Sequence, residues 1–170
     1  MKKGLVVLIF LACLILWGSD SGAQTYGNWL VSNEPGESSY AATVNDSGAV
    51  LGQFCFSATG KCAWLLYMDA GCADGDDYPV LANSDTASAS LKMYCGGQLK
   101  SGLYRYVFEN SDMVDSLMKK GSLVGFAVAK RAGQFKVVRF SLNGAEPAIA
   151  RMRSMAEKKG HVAHTRDLNL

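Results

Sequence analysis

Histidine is nearly absent from this chain. Its two copies, His161 and His164, both fall within the last ten residues. Nucleophilic hydrolysis needs a base beside a Ser, Cys or Thr, and Gly-x-Ser-x-Gly does not occur. A His-dependent triad is therefore set aside. On an extended final helix the two histidines would share a face and offer a weak metal site; in a loose tail they are simply solvated. Cys-x-x-Cys is missing as well, which removes a thioredoxin-like motif. No Gly-rich nucleotide loop and no strand–helix–strand alternation occurs. The apolar run from Leu5 to Trp17 is 13 residues, short of the roughly 20 that a spanning helix needs. Nor is one sign of charge in excess: 17 Lys and Arg face 15 Asp and Glu. That balance argues against a general nucleic-acid binder.

What is present begins at the amino terminus. Lys2 and Lys3 precede the apolar run, and the small-residue stretch Gly18–Ala23 follows it. Charge, apolar core and small-residue exit are the parts of a secretory signal peptide. Residues 1–23 are expected to be removed, with Ser21 and Ala23 at the recognition positions. Leu11-Ala12-Cys13 looks like part of a lipid-attachment box, but Phe10 is too bulky for it and Leu14–Leu16 continue the apolar core. The processed chain then reaches the periplasm or the cell surface with no transmembrane span. It reads as one β-rich domain, 24–160, with a flexible tail, 161–170. That length buries about two-thirds of its surface. The charge is unevenly spread. From Gln24 to Leu99, eight acidic residues face two basic ones; from Lys100 to Leu170, thirteen basic residues face six acidic ones. Either the halves interleave and the charges mix, or a basic side awaits an anionic envelope or host-surface partner.

Export decides how the cysteines are read. Cys55, Cys62, Cys72 and Cys95 remain after processing, and an even count in an oxidising space reads as two disulfides. Three pairings are open. Apolar residues flank Cys55 and Cys62, with Ser57-Ala58-Thr59-Gly60 between them, which reads as a hairpin. A two-residue turn at Ala58-Thr59 places the two cysteines opposite each other, at about 4.5 Å between Cα atoms. Local geometry thus favours Cys55–Cys62, leaving Cys72–Cys95 to close the acidic loop. The spacings do not match the short pairs of zinc sites, in which two to four residues separate the cysteines.

The remaining pattern is mostly strand. Tyr26–Ser32, Ser39–Val44, Val50–Phe56, Cys62–Met68, Ser88–Cys95, Gly102–Phe108, Leu123–Lys130 and Gln134–Leu142 read as strands. Turns are expected at Asn33–Glu37 and Arg131–Gly133, and Ala70–Tyr78 reads as a loop. Tyr104, Tyr106 and Phe108 alternate onto one face. Asn110 or Ser111 can cap a short helix through Lys120 that ends at Gly121. Asn143 or Gly144 can cap a last helix with Pro147 in its first turn, ending at Gly160. The expected fold is mainly β: an antiparallel sandwich or barrel-like domain with a short helix and a C-terminal helix.

Candidate chemistry is sparse. Asp69, Asp74, Asp76 and Asp77 could supply calcium oxygens, although a calcium loop wants alternating donors and a closing Glu. No other cofactor is implied, and no catalytic residue stands out. Trp29, Trp64, Tyr67, Tyr104 and Tyr106 form either a sugar- or peptide-binding platform or core and cross-strand pairs.

Three short segments resemble the invasion-associated locus B family of exported bacterial proteins. Tyr26-Gly-Asn-Trp29-Leu-Val31 is similar to that family's aromatic-x-x-Trp-x-Val opening. Asp115-Ser-Leu-Met-Lys-Lys-Gly121 is similar to its short helix ending in Gly. Phe140-Ser-Leu-Asn-Gly144, followed by Ala148-Ile-Ala150, is similar to its closing strand and terminal helix. Ala145 stands where that family usually has an aromatic, and the acidic loop is extra. The resemblance implies a β-rich, non-catalytic envelope or periplasmic protein linked to host-cell entry; it carries over no site residues. The expected function is an exported binding or interaction domain, an envelope or periplasmic protein and not an enzyme. The rivals are a periplasmic inhibitor of a host enzyme such as lysozyme, and a carboxylate- or calcium-dependent enzyme around Asp69–Asp77.

Overall fold

A computed structural model describes residues 23–33, 38–130 and 133–167, with backbone alone for Asn33 and residues 159–167. The export signal with Cys13, the turn at 34–37, the link at Arg131-Ala132 and residues 168–170 lie outside the described residues. The described residues form ten strands, most of them alternating and β5 and β9 apolar throughout: β1 (Gln24–Tyr26), β2 (Trp29–Asn33), β3 (Ser38–Val44), β4 (Val50–Phe56), β5 (Cys62–Met68), β6 (Asp77–Ser84), β7 (Ser88–Gln98), β8 (Tyr104–Phe108), β9 (Leu123–Ala129) and β10 (Phe135–Ser141). Helix α1 (Ser111–Met118) follows β8 and α2 (Ala145–Asp167) follows β10. All strands join one antiparallel sheet in the order β1-β2-β3-β4-β5-β8-β7-β6-β9-β10. The fold is mainly β, as expected, with the two helices packed against the sheet.

The sheet is open in its ladder yet curls until its ends meet, because strand twist accumulates across it. At the seam the Asn28 N–H donates to Asn143 O at 2.9 Å and the Trp29 indole N–H to Ser141 O at 2.9 Å. The Asn45 amide reaches Arg139 O at 3.2 Å. Gly144, at φ 88°, makes this approach feasible: a Cβ there would overlap the Tyr26 carbonyl. The concave face holds the core. Trp29 and Trp64 meet edge to face at 6.3 Å between centroids, and Leu66, Met93, Phe126 and Phe140 complete it. Helix α2 lays Ala145, Ala148, Ile149 and Met152 into this core, and α1 adds Val114, Leu117 and Met118.

Several elements depart from the sequence expectation. The first strand is two, folded at Gly27-Asn28 with Tyr26 opposite Trp29. A Gly-Asn pair is itself a two-residue hairpin signal, and Gly27 takes φ 53° there. Strand β6 has no counterpart in the sequence reading, and it carries Pro79, a residue that argues against a central strand. Pro79 is paired with Lys92 of β7, while pairing of β6 with β9 begins only at Val80, so β9 needs no N–H from Pro79. The hairpin between β4 and β5 turns through Ser57–Gly60, the Phe56 N–H donating to Lys61 O at 2.9 Å. The wider loop shares its centre with the expected Ala58-Thr59 turn, so Cys55 still faces Cys62. Helix α1 is capped by the Asn110 side chain, which accepts from the Met113 N–H at 3.1 Å. Helix α2 runs through Gly160 to Asp167, so the tail expected from His161 starts as helix. One glycine costs a helix only about 1 kcal/mol relative to Ala.

Candidate functional site

The curled sheet leaves a mouth at one end, and sequence alternation decides what lines it. Tyr104 and Tyr106 of β8 point to the concave face, as does Tyr78 of β6. Residues Gly71–Ala73 form one wall, and Ala129, Lys130 and Gln134 around the β9–β10 hairpin form another. The cavity between them measures about 510 Å³. The Tyr78 and Tyr106 rings meet edge to face, with centroids 5.5 Å apart, although β7 separates their strands.

The wall at Gly71–Ala73 is fixed by a bridge. Cys72 joins Cys95 of β7, with Cα atoms 5.9 Å apart, and Cys55 joins Cys62 across the other hairpin at 4.0 Å. This is the pairing that local geometry favours. Backbone bonds reinforce the loop: the Gly75 N–H donates to Cys95 O at 2.9 Å, and the Cys95 N–H to Asp76 O at 2.8 Å. The Ala73 N–H donates to the Tyr78 hydroxyl at 3.1 Å. The buried Tyr106 hydroxyl donates to Ala70 O at 2.9 Å. Burial, reinforced by Tyr78 and Tyr104, pushes its pKa up to about 12. Lys136 of β10 meets Asp69 at 2.7 Å. The hydrogen bond and charge of Lys136 hold the Asp69 carboxyl below its ordinary range, and Lys130 adds to the effect.

Other sequence candidates are dispersed. Trp29 and Trp64 are fully buried core residues. Tyr67 lies on the convex face, in a row where Tyr40 stacks on Phe54 at 5.3 Å and Phe54 meets Tyr67 at 5.9 Å. Burial raises the Tyr67 pKa, opposed by the charge of Arg105. Of the five aromatics singled out by sequence, only Tyr104 and Tyr106 reach the mouth. Tyr78 joins them unannounced; its one sequence signal is its place at the end of the acidic loop. The acidic cluster is also divided. Asp69 pairs with Lys136, while Asp77 meets Lys92 at 2.9 Å and Glu109 meets the same ammonium at 3.0 Å. Among the described residues, no three His, Cys, Asp or Glu side chains converge to hold a metal. His161 and His164 fall in α2, where side chains are outside the described residues. Ion pairs cross the charge divide, since Lys136 reaches back to Asp69 and Lys92 forward to Glu109.

A second polar cluster lies under the helices. Asp115 accepts from the Trp64 indole N–H at 2.7 Å and, through both oxygens, from the Arg153 guanidinium at 2.7 Å. Arg153 also donates to Gln53 at 2.7 Å. Every charge there has a partner, so the cluster reads as a tie between α1, α2 and the sheet. A shallow groove of about 610 Å³ crosses the convex face, lined by residues such as Leu81, Asn83, Gly125 and Arg139. It lacks the converging aromatic walls of the mouth.

No family model matches this chain, and no curated protein matches its sequence. The shape has a solved counterpart. This is the fold of invasion associated protein B from Bartonella henselae. The two superpose with a TM-score of 0.59, over 81% of this chain and 99% of that one, at 18% identity. The segments that resemble the locus B family in sequence come together in this fold. Tyr26–Val31 makes the β1–β2 hairpin, and Phe140–Gly144 leads from β10 into α2. The two meet at the seam, through Asn28 with Asn143 and Trp29 with Ser141. Asp115 of the third segment touches Trp64, which packs on Trp29. Among the described residues, no helix is long and apolar enough to cross a membrane.

Proposed function

We propose that this protein is an exported, non-catalytic interaction domain that holds its partner at the tyrosine-lined mouth. The observation that carries the reading is the lining itself. Aromatic rings and polar tips converge on an open cavity within the roughly 300–1,000 Å³ of ligand clefts. Catalysis by a base and nucleophile needs a pair in hydrogen-bond reach, and the residues lining the mouth offer none. Two disulfides suit an oxidising compartment, in keeping with export to the periplasm or cell surface. The likeness to a protein whose name records an association with invasion supports an envelope or host-surface setting.

The test is capture from an envelope fraction and from host-cell extract by immobilised protein, wild type beside Tyr104→Ala. Wild type is expected to retain a component that the variant releases. Equal retention by both, or none by either, overturns the reading. A lysozyme assay with excess protein separates the inhibitor reading, since this proposal expects full residual lysozyme activity.

A further inference from the structure

We propose that the mouth takes an acidic saccharide, a pyranose-based ligand bearing a carboxylate. The inference rests on the mouth being the binding site and adds the chemistry of what enters it.

The lining selects by shape. Its large side chains are Tyr78, Tyr104, Tyr106, Lys130 and Gln134, beside Gly71–Ala73 and Ala129. No Leu, Ile, Val, Phe or Met contributes, so an acyl chain or an apolar peptide side chain would gain little burial there. Tyrosine offers an apolar face with a polar tip. That combination suits a saccharide ring, which has a C–H face and a rim of hydroxyls. The hydroxyl end of the Tyr104 ring lies against Gly71, where a Cβ would lie 3.7 Å from Cζ. A cavity of about 510 Å³ fits a short saccharide and not a folded partner.

Charge narrows the class. The Tyr106 hydroxyl is spent on Ala70 O. The Tyr78 hydroxyl accepts from Ala73 and keeps its own proton to donate. Among the described residues, the Tyr104 hydroxyl, the Gln134 amide and the Lys130 ammonium have no hydrogen-bond or ion-pair partner. Asp69, the carboxylate that feels the charge of Lys130, is already held by Lys136 at 2.7 Å. Lys130 thus lines the cavity with no ion pair among the described residues, beside the hydroxyls of Tyr78 and Tyr104 and the Gln134 amide. A carboxylate on the ligand supplies the missing charge through a charge-assisted hydrogen bond.

The experiment is calorimetric titration of the purified protein with 3′-sialyllactose, with digalacturonate and with lactose. Wild type, Tyr104→Ala, Tyr104→Phe, Lys130→Gln and the convex-face variant Tyr67→Ala are compared, each first checked for folding by circular dichroism. Wild type is expected to bind at least one acidic probe about tenfold or more tightly than lactose. Tyr104→Ala should weaken that probe by a further tenfold or so, Tyr104→Phe by less. Lys130→Gln should erase the preference over lactose, and Tyr67→Ala should change nothing. The proposal is overturned if neither acidic probe binds at millimolar concentration, if lactose binds as tightly, or if binding survives both Tyr104→Phe and Lys130→Gln unchanged. Should the sugars fail while envelope capture still depends on Tyr104, the ligand class falls and the site stands. Failure of both removes the site as well.

Discussion

Asp115 is the residue on which α1, α2 and the sheet converge. It receives Trp64 and Arg153 at 2.7 Å, and its side chain is 24% exposed. Hydrogen bonds to a charged group contribute about 1.5–3 kcal/mol each when lost singly. Asp115→Asn is therefore expected to lower unfolding free energy by about 2 kcal/mol in urea denaturation, a value set by the charge-assisted bonds to Arg153 and discounted for partial exposure. Gly144 is constrained differently. Gly144→Ala faces both φ 88° and the Tyr26 carbonyl, whereas Gly102, at φ 89°, has nothing within 4 Å. The expected costs are roughly 3 kcal/mol or more for Gly144→Ala and about 1 kcal/mol for Gly102→Ala, read by the same melts. Tyr106 gives a pH signature. Its folded pKa, about 12, lies above the ordinary 10.0. Between those values the unfolded chain sheds the proton and the folded one keeps it, so stability falls as pH rises through the window. The effect is on the order of 2 kcal/mol, and Tyr106→Phe should flatten the slope of stability against pH between 10 and 12.

At the scale of elements, the two bridges close loops of different length. The separations are 7 residues for Cys55–Cys62 and 23 for Cys72–Cys95. Chain entropy assigns about 2.5 kcal/mol to the first and about 3.5 kcal/mol to the second. Paired Cys→Ala substitutions should rank in that order in urea. They should also separate by function: opening Cys72–Cys95 frees the wall of the mouth and weakens ligand binding, while opening Cys55–Cys62 leaves binding intact. The hairpin bridge was legible because its geometry is local. Alternation on either side of Ser57–Gly60 sets the register whatever the exact turn. The cap of α1 was legible for the same reason, since Asn110 reaches a donor three residues on. Strand β6 was not, because Pro79 forbids a central strand only where a partner needs its N–H, and that depends on where β9 begins.

Across the whole molecule, the mouth depends on the curl. Tyr78 and Tyr106 meet although β7 lies between their strands, because concavity shortens distances on the inner face. The seam holds that concavity in place. Trp29→Phe keeps an aromatic ring but removes the pyrrole part of the indole, with the N–H that reaches Ser141 O. Leaving a fully buried acceptor unpaired costs about 1–3 kcal/mol, and Ser141 O is partly buried, so the expected cost is about 1 kcal/mol. The variant is expected to melt at lower temperature and to show faster amide exchange in β10 than in β4. Exchange loss spread evenly through the sheet would argue that the seam does not organise the mouth.

The periodicity of the chain by itself determined a mainly β, antiparallel fold with two helices. It placed Tyr104, Tyr106 and Phe108 on one face, favoured Cys55 with Cys62 among three open pairings, and carried the locus B resemblance in three separated segments. These features rest on period, turn chemistry and capping, which act over a few residues. Tertiary structure alone decided that Tyr78 joins Tyr104, that Trp29, Trp64 and Tyr67 leave the platform, and that Lys130 lines the cavity. Alternation fixes the side of the sheet to which a residue points. It does not fix which strand lies beside it or how far the sheet curls, and those depend on twist and packing summed over all ten strands.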